Sequence, residues 1–257
     1  MRRCYADLAH GQVHYREAGS GQPLLLLHQT ASSSAMYERL APLLADRFRI
    51  IAPDTPGFGL SDPLASQPSI GDYARVMAEL IQQLDLGPVP VVGFHTGSHI
   101  ALELAAASPA LVKRVAMIGV LAVKDKAERD EWYAQIVKPW TPDWDGKFLE
   151  SHLKLLQSYT DPSDHEGMWL ELTQRLLAGP TYWHAYAAVL DHDSLAAARS
   201  LTMPSLYVNP TGDMLIPQTK LVHAATPGAA YAEIEGGADV VMMNPAAVAA
   251  VVRDFCA

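Results

Sequence analysis

Among the residues of this chain, His95 is the best placed to do chemistry. It lies in the run Gly93-Phe94-His95-Thr96-Gly97, between a predicted buried strand and a predicted helix. A neutral imidazole can abstract a proton or attack a carbonyl carbon near pH 7. His95 is therefore the first candidate for a catalytic base, or for a nucleophile.

His99 follows His95 by four residues, so a helix would place both imidazoles on one face, one turn apart. Two histidines at this spacing can ligate zinc, but a site needs at least a third ligand, and no HExxH motif or nearby carboxylate supplies one. The sequence therefore predicts no metal site. His99 is expected to line the pocket or to donate a hydrogen bond to a substrate.

The elements around these histidines alternate between strand and helix. Residues 3–9 and 12–18 predict a hairpin, and continuous apolar runs such as residues 23–27 are typical of strands buried on both faces. Ser34 can cap a helix that carries Met36, Leu40 and Leu44. Further strands are predicted at 48–52, 89–94, 114–120, 205–209 and 230–235, with helices near 70–86 and 97–107, from about 217, and over 245–255. This order predicts an α/β fold with a mostly parallel, doubly wound sheet.

Residues 121–198 differ from the rest of the chain. Helical stretches there are interrupted by prolines, and the segment holds all five tryptophans: Trp132, Trp140, Trp144, Trp169 and Trp183. We expect a helical cap at 121–198 above a core made of 1–120 and 199–257. Rings that face the sheet would become pocket walls for a small apolar or aromatic substrate. Trp183 and His184 are the predicted substrate-binding residues of this segment.

Composition excludes several classes of partner. The chain has 257 residues and a net charge of −9, and no basic run forms a phosphate-binding face, so nucleic acid is not an expected partner. No stretch of about 20 apolar residues predicts a membrane span, and an acidic residue at position 7 precedes any signal-like apolar run. We expect a cytoplasmic protein that acts on a small molecule without a cofactor. A homodimer is compatible with the sequence.

Five motifs, in order along the whole chain, resemble the α/β-hydrolase superfamily. The first runs from Leu24 to His28 and is similar to the strand that leads into the family's oxyanion loop. The others are PDTPGFGLSD at 53–62, the glycine-flanked run at 93–97 in the place of the nucleophile elbow, Asn209-Pro210-Thr211-Gly212-Asp213 in the place of the acid, and Gly236-Gly237-Ala238 in the place of the catalytic histidine.

The departures from this pattern are informative. His95 stands where the family has Ser, Asp or Cys, and Ala238 stands where it has the general base. The usual triad is therefore absent, while Asp213 remains in the position of the acid. Asp213 is the first candidate to orient His95, and Asp239 is the second.

The oxyanion loop also departs from the family pattern. Gln29 replaces the glycine that usually follows the histidine. The resemblance implies backbone donors at Thr30 and Thr96 and a mainly structural, loop-supporting role for His28.

Three functions follow as hypotheses. In the first, His95 removes a proton in metal-free acid–base chemistry on a carbonyl substrate, as a lyase, decarboxylase, isomerase or cofactor-free oxygenase. In the second, His95 or a water that it activates attacks an ester or lactone. In the third, the triad has been lost and the pocket only binds a small molecule.

Overall fold

A computed structural model of the chain describes residues 1–139 and 144–257, so Trp140 lies outside the described residues. Eight strands form one sheet: β1 (Arg2–Leu8), β2 (Gly11–Ala18), β3 (Gln22–Leu27), β4 (Phe48–Pro53), β5 (Val89–Phe94), β6 (Val112–Ile118), β7 (Ser205–Pro210) and β8 (Ala230–Ile234). Their order in the sheet is β1-β2-β4-β3-β5-β6-β7-β8. The hairpin β1–β2 pairs antiparallel, β2 pairs antiparallel with β4, and the other neighbours are parallel. The predicted α/β class and mostly parallel sheet are confirmed.

The helices follow the predicted order. They are α1 (Ile70–Gln83), α2 (Thr96–Ala107), α3 (Lys126–Ile136), α4 (Lys147–Gln157), α5 (His165–Ala178), α6 (His184–Leu190), α7 (Ser194–Arg199), α8 (Ile216–Ala225), α9 (Val240–Met243) and α10 (Pro245–Cys256). Helices α3 to α7 fall in the segment 121–198, which has no strand among its described residues. The boundaries of a separate cap stay a prediction. No helix within the described ranges is long and apolar enough to cross a bilayer.

One predicted helix is wrong. The segment after Ser34 forms two short 3₁₀ turns, Ser34–Tyr37 and Ala41–Leu43, instead of one α-helix. Pro42 explains the break, because proline has no N–H to donate and its ring clashes with the carbonyl four residues earlier. The apolar side chains Met36 and Leu40 are nevertheless buried as expected.

The sheet is buried on both faces, which explains its continuous apolar strands. In β3, Leu25 and Leu27 belong to the core cluster that includes α1 and α2, while Leu24 and Leu26 belong to the cluster that includes α10 and the 3₁₀ turns. Successive side chains of a strand point to opposite faces, so a strand covered on both sides needs apolar residues at every position.

The carboxyl ends of the central strands meet at one edge of the sheet. The register pairs Leu27 with Gly93, Phe94 with Ile118, and Ile118 with Val208. The residues that follow β3, β5, β6 and β7 therefore lie side by side. Ligands of open α/β sheets bind outside this edge.

The helical segment 121–198 is fixed to the core by polar contacts. Arg39 donates two hydrogen bonds of 2.8 Å to Asp164, at the start of α5. Ser32 donates to Glu171 Oε1 at 2.9 Å, and Tyr186 donates to the Thr30 carbonyl at 2.9 Å. Ser32 and Thr30 belong to the loop after β3, so α5 and α6 hold that loop directly.

The glycines of the β5–α2 turn are required by close packing. A Cβ on Gly97 would lie 1.9 Å from the Leu27 carbonyl oxygen, and a Cβ on Gly93 would lie 2.2 Å from the Gly97 carbonyl oxygen. We expect Gly97→Ala to lower the free energy of unfolding by about 3 kcal/mol, because the backbone of β3 has to move. Urea denaturation measures this difference.

The matched control for Gly97→Ala is Gly71→Ala, in the first turn of α1. The nearest atom to its added Cβ would be 3.6 Å away. This variant should be neutral or more stable by up to about 1 kcal/mol, since alanine favours the helix. Equal losses in both variants would contradict the packing argument.

The buried carboxyl of Glu171 makes stability depend on pH. Glu171 is 1% exposed, and burial raises its pKa to about 6 from the ordinary value of 4.5. The folded state then binds this proton more tightly than the unfolded state does. The contribution of Glu171 to the free energy of unfolding is therefore greatest below about pH 4.5 and is lost as the pH rises through 6. In the wild type, we expect Glu171 to lower the free energy of unfolding by about 2 kcal/mol as the pH rises through this range. The Glu171→Gln variant should not show this decrease.

The measurement is urea unfolding of the wild type and of Glu171→Gln at pH 4.5, 5.5 and 7. Glu166→Gln is the matched control, because Glu166 lies on the same helix with its side chain 93% exposed. The same pH slope in the wild type and Glu171→Gln would refute the prediction.

Candidate functional site

His95 sits at a strained turn between β5 and α2. Its backbone has φ 47° and ψ −110°, a conformation that side-chain-bearing residues rarely adopt and that costs about 1–3 kcal/mol. The Phe94 ring stacks on the His95 imidazole with 4.5 Å between ring centroids. The turn thus places the imidazole at the carboxyl edge of the sheet, in the first position before a helix.

His95 is paired with Asp213. Its Nε2 lies 2.6 Å from Asp213 Oδ2, and the aspartate side chain is fully buried. Asp213 Oδ1 also accepts a 2.8 Å hydrogen bond from the Leu215 N–H. Burial alone would raise the pKa of Asp213, but the net shift is downward because the His95 ring and the Leu215 N–H favour the carboxylate.

The pairing determines which ring nitrogen is free. A carboxylate can only accept, so Nε2 carries the proton and a neutral ring keeps its lone pair on Nδ1. No hydrogen-bond partner for Nδ1 occurs among residues 1–139 and 144–257. Asp239, the second predicted partner, makes no hydrogen bond to His95. The lone pair of Nδ1 is available to a ligand.

Gly119 is a site residue that sequence reasoning missed. It follows β6, and an added Cβ would lie 2.5 Å from His95 Cδ2, 2.8 Å from its Nε2 and 3.2 Å from Asp213 Oδ2. A side chain here would displace the imidazole from the carboxylate. The pairing of adjacent strands β5 and β6 was the signal that could have found it, because Gly119 stands beside His95 in the sheet.

A cavity of about 300 Å³ lies against His95. The core contributes residues that follow β3, β5, β7 and β8: Gln29, Thr30, His95, Thr96, Met214 and Ala238. Of the core residues predicted as catalytic, oxyanion-binding or substrate-binding, all but Asp213, His28 and His99 are therefore brought together here. Asp213 stands behind His95.

The helical segment supplies the rest of the wall. Its polar contributors are Gln135, Lys138, Tyr159, Arg175, Tyr182 and Tyr186, and Ile136 and Leu155 complete it. The predicted aromatic wall thus consists of tyrosines. Sequence reasoning missed Arg175, although it recurs with Leu172 and Ala178 on the buried face of α5, where a charged residue is unusual.

His28 supports the loops and does not line this cavity. Its Nδ1–H donates to the Gln29 carbonyl at 2.7 Å, and its Nε2 accepts from the Thr55 N–H at 2.8 Å. Burial lowers the pKa of His28, which favours the neutral ring that this pattern needs. The ring joins the loops that follow β3 and β4.

The substrate-binding prediction for His99 needs correction. Its Nε2 accepts from the Leu121 N–H at 3.1 Å, and its Nδ1 lies 3.0 Å from His192 Nδ1. The ring is 1% exposed, and burial holds its pKa well below the usual range. With both nitrogens occupied, His99 does not line this cavity, because the helix directs it towards the α6–α7 connection.

Trp183 and His184 also lie outside the cavity wall. His184 lines a separate pocket with Phe58 and Tyr73, and the Trp183 ring packs against His184 with 4.4 Å between centroids. Tyr182, in the turn before α6, and Tyr186, within α6, line the cavity instead, with 5.9 Å between their ring centroids. Within the described residues, no group of three His, Cys, Asp or Glu side chains is arranged to hold a metal ion.

Comparisons with known proteins agree with the fold. The alpha/beta hydrolase fold family matches residues 22–245. The chain is 38% identical over 112 residues to a 2-(acetamidomethylene)succinate hydrolase of Mesorhizobium japonicum, covering 44% of this chain and 40% of that protein. It is 37% identical over 100 residues to haloalkane dehalogenase 2 of Mycobacterium tuberculosis, covering 38% of this chain and 35% of that protein.

A solved structure matches over nearly the full length. The enol-lactonase from Burkholderia xenovorans has a TM-score of 0.84 and 18% identity, with 98% of this chain and 99% of that chain covered. By contrast, the matched segments span only 30% to 45% of the first curated relatives. The family match over residues 22–245, together with the sheet order and the turn at His95, shows that this chain belongs to the α/β-hydrolase fold family.

Proposed function

We propose that this protein hydrolyses an ester or lactone bond of a small substrate, with His95 as the base that activates water. The observation that carries this proposal is the 2.6 Å contact between His95 Nε2 and Asp213, which leaves the Nδ1 lone pair unpaired beside the cavity. An imidazole oriented by a buried carboxylate is the usual general base of acyl transfer.

Water is the nucleophile that fits this cavity. Among the described residues, its wall contains no serine or cysteine. His95 itself can attack a carbonyl, but the resulting acyl-imidazole is reactive and would not accumulate. Ala238 presents only a methyl group where the family has its catalytic imidazole, so His95 has to serve as both base and acid.

Backbone N–H groups can stabilise the developing oxyanion. Thr96 is the first residue of α2, so its N–H has no acceptor within the helix, and the helix dipole adds positive potential there. Thr30, from the loop after β3, lines the same cavity. These two N–H groups are our candidates for the oxyanion hole.

Hydrolysis takes place in two steps. The water oxygen bonds to the acyl carbon while its proton passes to His95 Nδ1, and the carbonyl oxygen becomes the oxyanion. The intermediate then expels the alcohol, which takes the proton from the imidazolium. Asp213 stays ionised and holds the ring in place. The products are a carboxylic acid and an alcohol, which are joined in one molecule when the substrate is a lactone.

The relatives support hydrolysis as the reaction class. Two of those matched in sequence are named as hydrolases of substituted methylenesuccinates, and the enol-lactonase shares the fold. Because these matches cover less than half of each curated relative, they support the class of reaction and not a particular substrate.

Proton transfer at carbon is a second candidate. It is favoured by the presence of a single imidazole in the described cavity wall, because removal of a proton next to a carbonyl needs one base and an oxyanion site but no acyl-enzyme. Lyase, decarboxylase, isomerase and cofactor-free oxygenase reactions share this first step. Product analysis separates them from hydrolysis.

We expect His95→Ala to lower kcat/KM for hydrolysis of aryl esters or lactones by about 10²- to 10⁴-fold, because the general base is lost. Product formation by the purified protein, followed by chromatography, measures the change. His165→Ala is the matched control, since His165 is exposed at the start of α5. Retained hydrolysis in His95→Ala would refute His95 as the base, and carbon-bond products would favour the second candidate.

Asp213→Asn should lower kcat by about 10²- to 10⁴-fold with little change in KM. An asparagine amide can donate to Nε2, which moves the ring proton to Nδ1 and removes the lone pair from the cavity side. Steady-state kinetics test this, and the low-field proton resonance of the His95–Asp213 hydrogen bond should disappear. Wild-type kcat in a correctly folded variant would contradict the orienting role of Asp213.

A further inference from the structure

Arg175 is a buried cation that no carboxylate of the described residues contacts directly. The residue is 3% exposed, and its Nε has no hydrogen-bond partner among the described residues. None of the ion pairs within the described ranges includes it, so no carboxylate lies within 4.0 Å of its guanidinium. A buried charge that is left unpaired is strongly destabilising, which makes such an arrangement rare outside binding sites.

The neighbours of Arg175 do not neutralise it. Its Cζ lies 5.4 Å from the centroid of the Tyr182 ring, which gives a favourable cation–π contact but no negative charge. The Tyr182 hydroxyl donates to the Lys138 carbonyl at 3.2 Å, and the Tyr186 hydroxyl donates to the Thr30 carbonyl at 2.9 Å. These tyrosines shape the wall around the guanidinium.

The nearest acid is already held by the core. Glu171 lies one helical turn before Arg175, but its carboxylate accepts from Ser32 at 2.9 Å and lies 3.5 Å from Gln29 Nε2. It does not line the cavity. Glu171 moderates the potential at Arg175 from behind, and the face towards the cavity stays positive.

The described cavity wall as a whole has one sign of charge. It contains Arg175 and Lys138, and no aspartate or glutamate. The protein carries a net charge of −9, so a positively lined cavity runs against the general composition. A closed site with one sign of charge selects ligands of the opposite charge.

We propose that Arg175 binds a carboxylate of the substrate, so that the molecule hydrolysed at His95 is a small anionic ester or lactone. The planar guanidinium fork matches the two oxygens of a carboxylate. The cavity of about 300 Å³ holds a small acid, and His95 and Arg175 both line it. This proposal rests on the proposed hydrolysis only in taking the bound anion to be the substrate.

The first experiment measures binding without reaction. Phenylacetate, its neutral isostere phenylacetamide, and phenyl phosphate are titrated into the wild type by calorimetry. We expect phenylacetate to bind about 10- to 100-fold more tightly than phenylacetamide, and more tightly than phenyl phosphate. Equal affinity for acid and amide would overturn the proposal, and tighter binding of phenyl phosphate would overturn the choice of a carboxylate.

Variants then locate the anion site. Arg175→Met should remove the preference for phenylacetate, while Arg175→Lys should keep part of it, since an ammonium retains the charge but not the fork. Arg129→Met is the matched control, because Arg129 pairs with Asp191 away from this cavity. An unchanged preference in a folded Arg175→Met would refute the assignment. If that variant does not fold, the wild-type titrations and Arg175→Lys decide.

The last comparison separates this proposal from the proposed hydrolysis. His95→Ala should still prefer phenylacetate, because it keeps Arg175. Turnover is measured with two substrates, the 4-nitrophenyl monoester of adipic acid and the 4-nitrophenyl ester of the neutral half-amide. In the wild type, kcat/KM should be about 10- to 100-fold higher for the acid, and Arg175→Met should lack this difference. Anion-selective binding without any turnover would support the anion site at Arg175 and refute the proposed hydrolysis. Equal turnover of the acid and the amide would support hydrolysis and refute the anion site.

Discussion

The close approach of two backbones at the β5–α2 turn is the constraint on which the site depends. Gly97 lies so near β3 that even one methyl group would overlap the Leu27 carbonyl. The chain can make this approach only by turning sharply at His95, whose positive φ follows from it. The apolar burial of β3 and β5 on both faces supplies the stability that holds the strained residue in place.

This rigid turn lets one imidazole take over two positions of the family's usual triad. His95 stands at the elbow, yet it pairs with the acid that the family resemblance assigns to a different histidine. This pairing is possible because Gly119 leaves room for the ring beside Asp213, and Ala238 contributes only a methyl group to the cavity wall. The result is an imidazole with a fixed tautomer, oriented by a buried carboxylate.

The helical segment 121–198 completes the site rather than merely covering it. The same two helices that contact the loop after β3, through Glu171 and Tyr186, also bring Arg175 and Tyr186 to the cavity. The geometry of this loop and the position of Arg175 are therefore coupled through α5 and α6. A substitution of Glu171 would change both the position of the loop and the electrostatic potential around Arg175.

The sequence by itself determined the strands, the order of elements and the place of His95. Continuous apolar runs mark doubly buried strands, and glycines mark a turn that only they permit. It did not determine the direction of side chains: the spacing of His99 from His95 is satisfied equally well by a ring that points towards His192. The density of aromatic residues around His184 did not tell which of them line the cavity. Pro42 outweighed an apolar pattern that predicted a helix.

Only the tertiary structure selected Asp213 over Asp239, placed Gly119 against the imidazole, and brought Arg175 to the cavity. Each of these depends on distances between elements that are far apart in the chain. Local sequence patterns indicate whether a residue is buried, whereas the packing of the whole chain determines which atoms are in contact.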